Sequence, residues 1–342
     1  MTVTARPLRL SVLDQSVARA GRPQGEAIRD TVALAEACEG LGYDRFWLSE
    51  HHSLPTIVGT APEVLMAAIA VRTSRIRIGS AGVMLPHYSP FKVAEQFRVL
   101  DALAPGRIDL GVGRAPGSDH RTAMLLNPDP RASEMFPQQV RELHAWVNGA
   151  EMPEGHAGHG IQALPMGATA PQLWMLGSSN YGAQLAAHFG MPYAFAHFIA
   201  DDGCEQALEL YRHLFKPGLV DRPKVTVCVW ALAADTEEEA WRLYTSRERA
   251  RMDRNIGRFG PLLAPEEAPR DYARNEEPGR AALRRKSIVG SGPQVAERLR
   301  ALAAQWEVDE LVVITWTWDP LAQRRSYELL ADAFDLRAQA PT

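Results

Sequence analysis

The stretch "EAIRDTVALAEACEGLGYDRFWLSEHH", residues 26–52, holds a helix, its stop and a strand in direct succession. Ile28, Val32, Ala35 and Leu41 fall roughly on one helical face. Gly40 and Gly42 then end the helix, as glycine does at a C-terminus. In "YDRFWLSE" (43–50), Phe46, Trp47 and Leu48 read as the core of a buried strand. Glu50, His51 and His52 follow at once, before Pro55 and Gly59 break any regular structure. A strand that ends in a carboxylate and two imidazoles either simply surfaces there or brings polar groups together at its end.

Seven more strand-like runs share this setting: "LRLSVLDQ" (8–15), "RIRIGSAGVML" (75–85), "RIDLGVGR" (107–114), "QLWMLGSS" (172–179), "PYAFAHF" (192–198), "KVTVCVWALAA" (224–234) and "DELVVITWTW" (309–318). Amphipathic stretches lie between them, among them "PFKVAEQFRVLDALAPG" (90–106) and "PQVAERLRALAAQWEV" (293–308). Strands alternating with helices imply parallel pairing, because each crossover takes a dozen or more residues. Eight such units predict an α/β fold, a closed (β/α)8 TIM barrel, in a single domain spanning 1–342. An eight-stranded open, doubly wound sheet is the rival. A barrel takes about 250 residues, which leaves roughly 90 as insertions. They are expected after strands four (about 115–171) and seven (about 247–287). The second is charged and proline-punctuated. It reads either as a solvated surface excursion or as a mobile lid over the barrel mouth.

The 342 residues are 46% apolar and carry a net charge of −4, with both signs mixed along the chain. That composition suits a globular protein with a sizeable core and lacks the clustered basic surface of a nucleic-acid binder. Cys38, Cys204 and Cys228 are far apart, without metal-type spacing, and read as reduced, mostly buried thiols. The N-terminus has no signal-peptide run, and no stretch approaches the ~20 apolar residues of a membrane helix. A cytoplasmic location is expected.

In a barrel of this kind the working face lies at the C-terminal ends of the strands. Glu50, His51 and His52 then sit at that rim. Strand one ends there in Asp14, Gln15 and Ser16, strand four in Gly111 to Arg114, and strand five in Gly177 to Asn180. Strand three carries Gly79, Ser80, Ala81 and Gly82 in its middle, where small residues suggest that something approaches the backbone closely. A planar ring would fit; so would a barrel layer that alternates small and large side chains. Strand five runs directly into "NYGAQLAAHFG" (180–190), which Ser178, Ser179 or Asn180 can cap. A helix start also binds phosphate readily, and Arg114 on the neighbouring strand adds a charged fork. "GVGRAPG" (111–117) is no dinucleotide fingerprint, since Pro116 stands where a helix should run and the third glycine is one place late. Adjacent His51 and His52 do not make a metal set either. Trp316, Trp318, His197 and His87 lie near strand ends, where they either shape an apolar pocket or pack the core.

Three segments carry a resemblance: residues 46–117, residues 173–198 and "IVGSGPQVAERL" (288–299). Together they resemble the luciferase-like flavin monooxygenases, the group that includes the bacterial luciferase subunits, over nearly the whole chain apart from the two insertions. The resemblance implies a (β/α)8 barrel binding FMN, as FMNH2, at its C-terminal face, where O2 gives a flavin C4a-hydroperoxide that oxygenates a small organic substrate. It implies that Ser80, Ala81 and Gly82 pass under the flavin ring, with a cis peptide at Ala81–Gly82. It makes Arg114 and Ser179 phosphate ligands, with Gly177, Ser178, Tyr181 and Gly182 lining the same turn. His51 matches a catalytic histidine that moves protons, and Glu50 is expected to orient it or stabilise charge. Gly113 stands where luciferase has a reactive cysteine. FMNH2 is expected from a separate reductase, or from reduction in place by NAD(P)H. A homodimer is also expected, with no nucleic-acid, membrane or metal partner. Two alternatives stay open: a deazaflavin-dependent oxidoreductase on the same barrel, and a non-catalytic flavin-binding partner subunit.

Overall fold

The structure, a computed structural model, describes residues 8–200 and 202–339. Its strands are β1 (Arg9–Asp14), β2 (Arg45–Leu48), β3 (Arg77–Met84), β4 (Ile108–Gly113), β5 (Gln172–Gly177), β6 (Tyr193–Ala196), β7 (Val225–Ala234), β8 (Ile288–Ser291) and β9 (Glu310–Ile314). All eight runs read from the sequence become parallel barrel strands. Each of β1 to β6 pairs with the next, β6 pairs with β7 and β7 with β9, and β9 returns to β1 to close the ring. The open-sheet alternative is thereby excluded. β8 is a ninth strand outside the ring. It pairs with the far end of β7, from Ala231↔Ile288 to Ala234↔Ser291.

The period-two alternation of the strands builds two apolar shells. Val12, Phe46, Ile78, Leu110 and Val313 face outward to the helices. Leu13, Trp47, Trp174, Trp230, Val312 and Ile314 face inward and fill the barrel. Burying side chains of this size contributes about 1.5–3 kcal/mol each. The helices are α1 (Gln24–Leu41), α2 (Pro62–Ala70), α3 (Pro90–Leu103), α4 (His120–Leu126), α5 (Phe136–Asn148), α6 (Asn180–Phe189), α7 (Cys204–Leu214), α8 (Glu237–Asn255), α9 (Glu277–Lys286), α10 (Gly292–Gln305), α11 (Pro320–Phe334) and α12 (Leu336–Gln339). α1 ends where the sequence placed its stop. Gly42 has φ +90°, and a Cβ there would lie 2.6 Å from Leu336 O. No helix among the described residues is long and apolar enough to cross a membrane. Cys38, Cys204 and Cys228 are free and buried.

The chain between β4 and β5 is only partly extra. α5 buries Phe136, Val140, Leu143, Trp146 and Val147 in the outer shell and so serves as the crossover helix. Between β7 and β8, α8 continues unbroken through Arg247 to Asn255. The chain then returns over the C-terminal end of the barrel. There Leu262 exchanges hydrogen bonds with Ala18 and Ala20 and packs into the interior shell.

Candidate active site

Three strand ends meet around His51. The indole Nε1 of Trp316, just past β9, donates to Gln15 Oε1 at 3.2 Å. Gln15 follows β1, and its Nε2 lies 3.2 Å from His51 Nε2. His51 Nδ1 lies 3.3 Å from Gly117 O, beyond β4. The proton positions follow from the chemistry of the partners. An indole only donates, so Gln15 presents its oxygen to Trp316 and its NH2 to His51. A carbonyl only accepts, so His51 carries its proton on Nδ1 and accepts at Nε2. Burial pulls the His51 pKa below the ordinary histidine value. The Gly117 contact opposes this, while the nearby charge of Arg254 reinforces it. The ring is a neutral base at neutral pH.

Glu50 is not attached to His51. Its Oε1 accepts from His52 Nε2 and from the Tyr88 hydroxyl, both at 2.7 Å, and its Oε2 accepts from Met84 N at 3.1 Å. The carboxylate thus ties the end of β2 to the end of β3, and orienting His51 falls to Gln15 and Gly117. His52 has other partners than His51: besides Glu50, its ring centroid lies 6.0 Å from that of His87, which bonds Pro116 O.

The small residues of β3 divide into two groups. The Ala81–Gly82 peptide is cis, as the resemblance implies. At Gly79, a Cβ would lie 2.6 Å from Trp47 Cδ1 and 2.7 Å from Asp109 Cβ. At Gly82 it would collide with Leu176 Cδ1 and lie 2.8 Å from Gly111 O. Both glycines are required by the protein's own packing, without any ligand. The Ser80 hydroxyl is spent on Gly111 O at 2.9 Å. That leaves Ala81, half-buried beside Leu54 and Leu176, as the inward-facing surface of this segment at the mouth.

Arg114 and the start of α6 adjoin. The guanidinium lies 4.0 Å from the Tyr181 ring centroid and is exposed; among the described residues no hydrogen bond or ion pair holds it. Ser179 occupies the N-cap of α6 but makes no side-chain cap. The first-turn N–H groups therefore lack a side-chain acceptor. Gly177 and Gly182 approach so closely that a Cβ on either would touch the other's Cα at 3.4 Å. Ser178 sits half-buried between them. An uncapped helix start beside an unpaired arginine is chemically fitted to a phosphate.

Of the other strand-end residues, Trp318 donates to Ala20 O at 3.0 Å. His197 is not at the mouth: its ring packs 5.0 Å from that of Trp306, in the outer shell, and Phe198 turns inward in its place. Gln15 stands out in the sequence only as one of several polar strand-end residues, and Phe198 and Leu262 carry no signal there.

Residues 8–310 match the family model of the luciferase-like monooxygenases. The chain belongs to the luciferase-like monooxygenase family. An uncharacterized protein of Bacillus subtilis, YwcH, is 44% identical over 95% of this chain and 98% of its own. An N-acetyl-S-alkylcysteine monooxygenase of the same organism is 36% identical over 95% and 98%. Among solved structures, apo-MsnO8 superposes with a TM-score of 0.87 at 34% identity, covering 96% of this chain and 99% of that one. The oxygenating constituent of 3,6-diketocamphane monooxygenase of Pseudomonas putida, solved with FMN, superposes with a TM-score of 0.74 at 20% identity, covering 96% and 97%, which shows a common fold. A member of this family is an oxidoreductase of the monooxygenase type.

Proposed function

We propose that the protein is an FMN-dependent monooxygenase that uses reduced FMN and O2 to oxygenate a small organic substrate. The observation that carries this reading is the unpaired Arg114 beside the uncapped start of α6. Reduced FMN, when bound, supplies the electron pair with which one atom of O2 becomes water while the other enters the substrate. In this reading Arg114 and the N–H groups of Tyr181 and Gly182 hold the phosphate, and the Ser178 and Ser179 hydroxyls donate to it. Ala81 and the backbone of Ser80 and Gly82 line the floor under the ring. His51 accepts and returns a proton at Nε2 when the reacting group displaces the Gln15 NH2 from that nitrogen, and the interior shell of Trp316, Leu54 and Leu262 keeps bulk water out.

A terminal phosphate monoester matches an arginine beside a helix start better than the long phosphodiester tail of a deazaflavin does. The bonded Trp316–Gln15–His51–Gly117 chain favours a working base over a silent partner subunit. Titration of the purified protein with FMN, riboflavin and a deazaflavin tests the reading, followed by air oxidation of its FMNH2 complex with a reductase and NAD(P)H. FMN is expected to bind best. Equal binding of FMN and riboflavin, or tighter binding of the deazaflavin, overturns it.

Within residues 247–287, the part beyond the Leu262 anchor is proposed to act as a lid over this mouth. Bound FMN should slow limited proteolysis within 247–287 while leaving cleavage elsewhere unchanged. Equal cutting with and without FMN reduces the segment to surface structure.

A further inference from the structure

α8 follows β7 and turns one face toward the interior shell. Ala240, Leu243 and Tyr244 on that face pack into the interior shell, and Ala250 packs against it. The same stripe continues at helical spacing with Arg247, Arg251 and Arg254. Arg247 is 3% exposed, and its guanidinium lies 3.9 Å above the Trp230 ring. Its hydrogen-bond partner is a neutral hydroxyl, Ser287 Oγ, at 2.9 Å. No carboxylate pairs with Arg247, Arg251 or Arg254 among the described residues. The two acids in the second half of α8 are turned elsewhere: Glu248 is held by Arg280 and Arg284, and Asp253 by Arg249 and Arg270. Arg254 lies close enough to His51 for its charge to act on that ring.

An arginine buried without a counter-charge is costly, and burial usually comes with a paired acid. Burial pulls the Arg247 pKa down to about 9, and the Arg251 charge pushes the same way. Desolvation and the neighbouring Arg254 lower Arg251 in turn. Arg247 is buried, Arg251 half-buried and Arg254 exposed, so the face runs from the interior shell to solvent with three cations and, among the described residues, no paired acid. An apolar surface of Trp316, Leu54, Phe198 and Leu262 adjoins it.

We propose that this face of α8 binds the anionic group of the substrate, so that the compound oxygenated is an organic carboxylate with an apolar remainder. The inference rests on the monooxygenase reading above. It gives the arginines their missing counter-ion and places the apolar remainder inside the barrel mouth, toward His51. It separates the two anion sites of the molecule: Arg114 and α6 on the β4–β5 side, and the α8 arginines on the β7–β8 side.

The test follows tryptophan fluorescence during titration with octanoate, benzoate and N-acetyl-S-butylcysteine, each beside its neutral primary amide, with and without FMN. At least one acid should bind roughly tenfold or more tightly than its own amide, the scale of a charge-assisted hydrogen bond. Arg251→Gln should reduce that preference several-fold, and Arg251→Lys should keep most of it. Arg247→Met should abolish the preference and raise Tm by roughly 2–4 °C, because an uncompensated buried charge is removed. Acids that bind no better than their amides, with FMN or without it, overturn the proposal. So does a preference that survives in Arg251→Gln, or a fall in Tm in Arg247→Met with the preference intact. If Arg247→Met does not fold, Arg251→Gln decides alone. Failure of FMN to bind the parent protein would overturn the FMN reading instead, and the flavin-free titrations keep the two failures apart.

Discussion

At the N-terminal end of the barrel, Arg45 donates to Asp109 at 2.7 Å and to Glu310 at 2.8 Å. At the C-terminal end, Arg247 is equally buried and has a hydroxyl for a partner. The N-terminal end is a closed account of charge. Asp109 also binds Arg77 at 2.6 Å and accepts from Trp47 Nε1, and Glu310 takes Ser11. Burial alone would lower the Arg45 pKa, but Asp109, Glu310 and Asp44 outweigh it and hold it above the ordinary value. A cavity of about 1350 Å³ opens at this end, lined by both signs of charge: Arg9, Arg75, Arg77, Arg212, Arg222 and Lys224 face Glu39, Asp44, Asp221, Glu307 and Asp309. Burial and the neighbouring Arg45 bring Lys224 down to about 8. At the mouth, by contrast, Arg114, Arg251 and Arg254 have no paired acid among the described residues. Charges matched inside the protein hold the barrel together; charges left unmatched await something brought from outside.

The sharpest way to break this contrast exchanges the two readouts. His51→Ala should lower turnover by roughly 10²–10⁴-fold, the range for a lost acid–base group, while denaturation midpoints and FMN affinity stay near those of the parent. Arg45→Met should do the reverse. It leaves Glu310 buried without its main partner and should cost about 3–5 kcal/mol of stability in urea denaturation, with turnover of the folded fraction retained. Normal turnover in His51→Ala, or an Arg45→Met protein as stable as the parent, ends the division of labour between the two ends.

Arg114→Ala has a smaller expected effect, again confined to the mouth. FMN affinity should fall by about 1.5–3 kcal/mol, the usual worth of a charge-assisted hydrogen bond. Riboflavin, which lacks the phosphate, should lose little. A mutant that still discriminates FMN from riboflavin as well as the parent shows that the phosphate lies elsewhere.

The barrel was legible because each of its strands carries a dense apolar run and the spacers between them are amphipathic. β8 escaped notice because "IVGS" is four residues long and contains a glycine, too short for periodicity to register. The strand-end polar groups were legible as a set, but not which of them meet. Gln15 matters through Trp316, 301 residues away, a pairing that only barrel closure creates. The small residues of β3 leave two readings open, room for a ring or a layer of alternating small and large side chains, and the closeness of Trp47 to Gly79 and of Leu176 to Gly82 is a packing detail that only the fold supplies. "RERARMDRN" reads in the sequence as the start of a solvated excursion or of a lid, because charged runs are usually exposed. The spacing of Arg247, Arg251 and Arg254 behind Tyr244 is the available signal, since it continues the helical face that carries Ala240, Leu243 and Tyr244.

The smallest effect concerns the proton on His51. In the folded protein its pKa lies below the ordinary histidine value, first because the ring is buried. A proton on Nε2 would also face the NH2 group of Gln15, which the Trp316 indole holds in that orientation. The unfolded chain therefore binds this proton more readily than the folded one. Stability from this group is fully present above about pH 6.5 and is lost as pH falls through the folded pKa. Gln15→Glu should invert the sign. The new carboxylate still accepts from the Trp316 indole, and it accepts from a protonated His51 as well, so the folded pKa should rise above the unfolded one. The stabilisation should then be present below about pH 6.5 and fade as pH rises through the folded value. The acid limb of the turnover profile should move to higher pH in the same variant, because His51 must be neutral to accept a proton. Each unit of displacement corresponds to about 1.4 kcal/mol. The measurement is a pair of urea midpoints across pH 5–8 for parent and variant, with His51→Ala as the flat reference. If the Gln15→Glu curve runs parallel to that of the parent, Gln15 does not set the proton affinity of His51, and the chain from Trp316 to Gly117 is scaffolding.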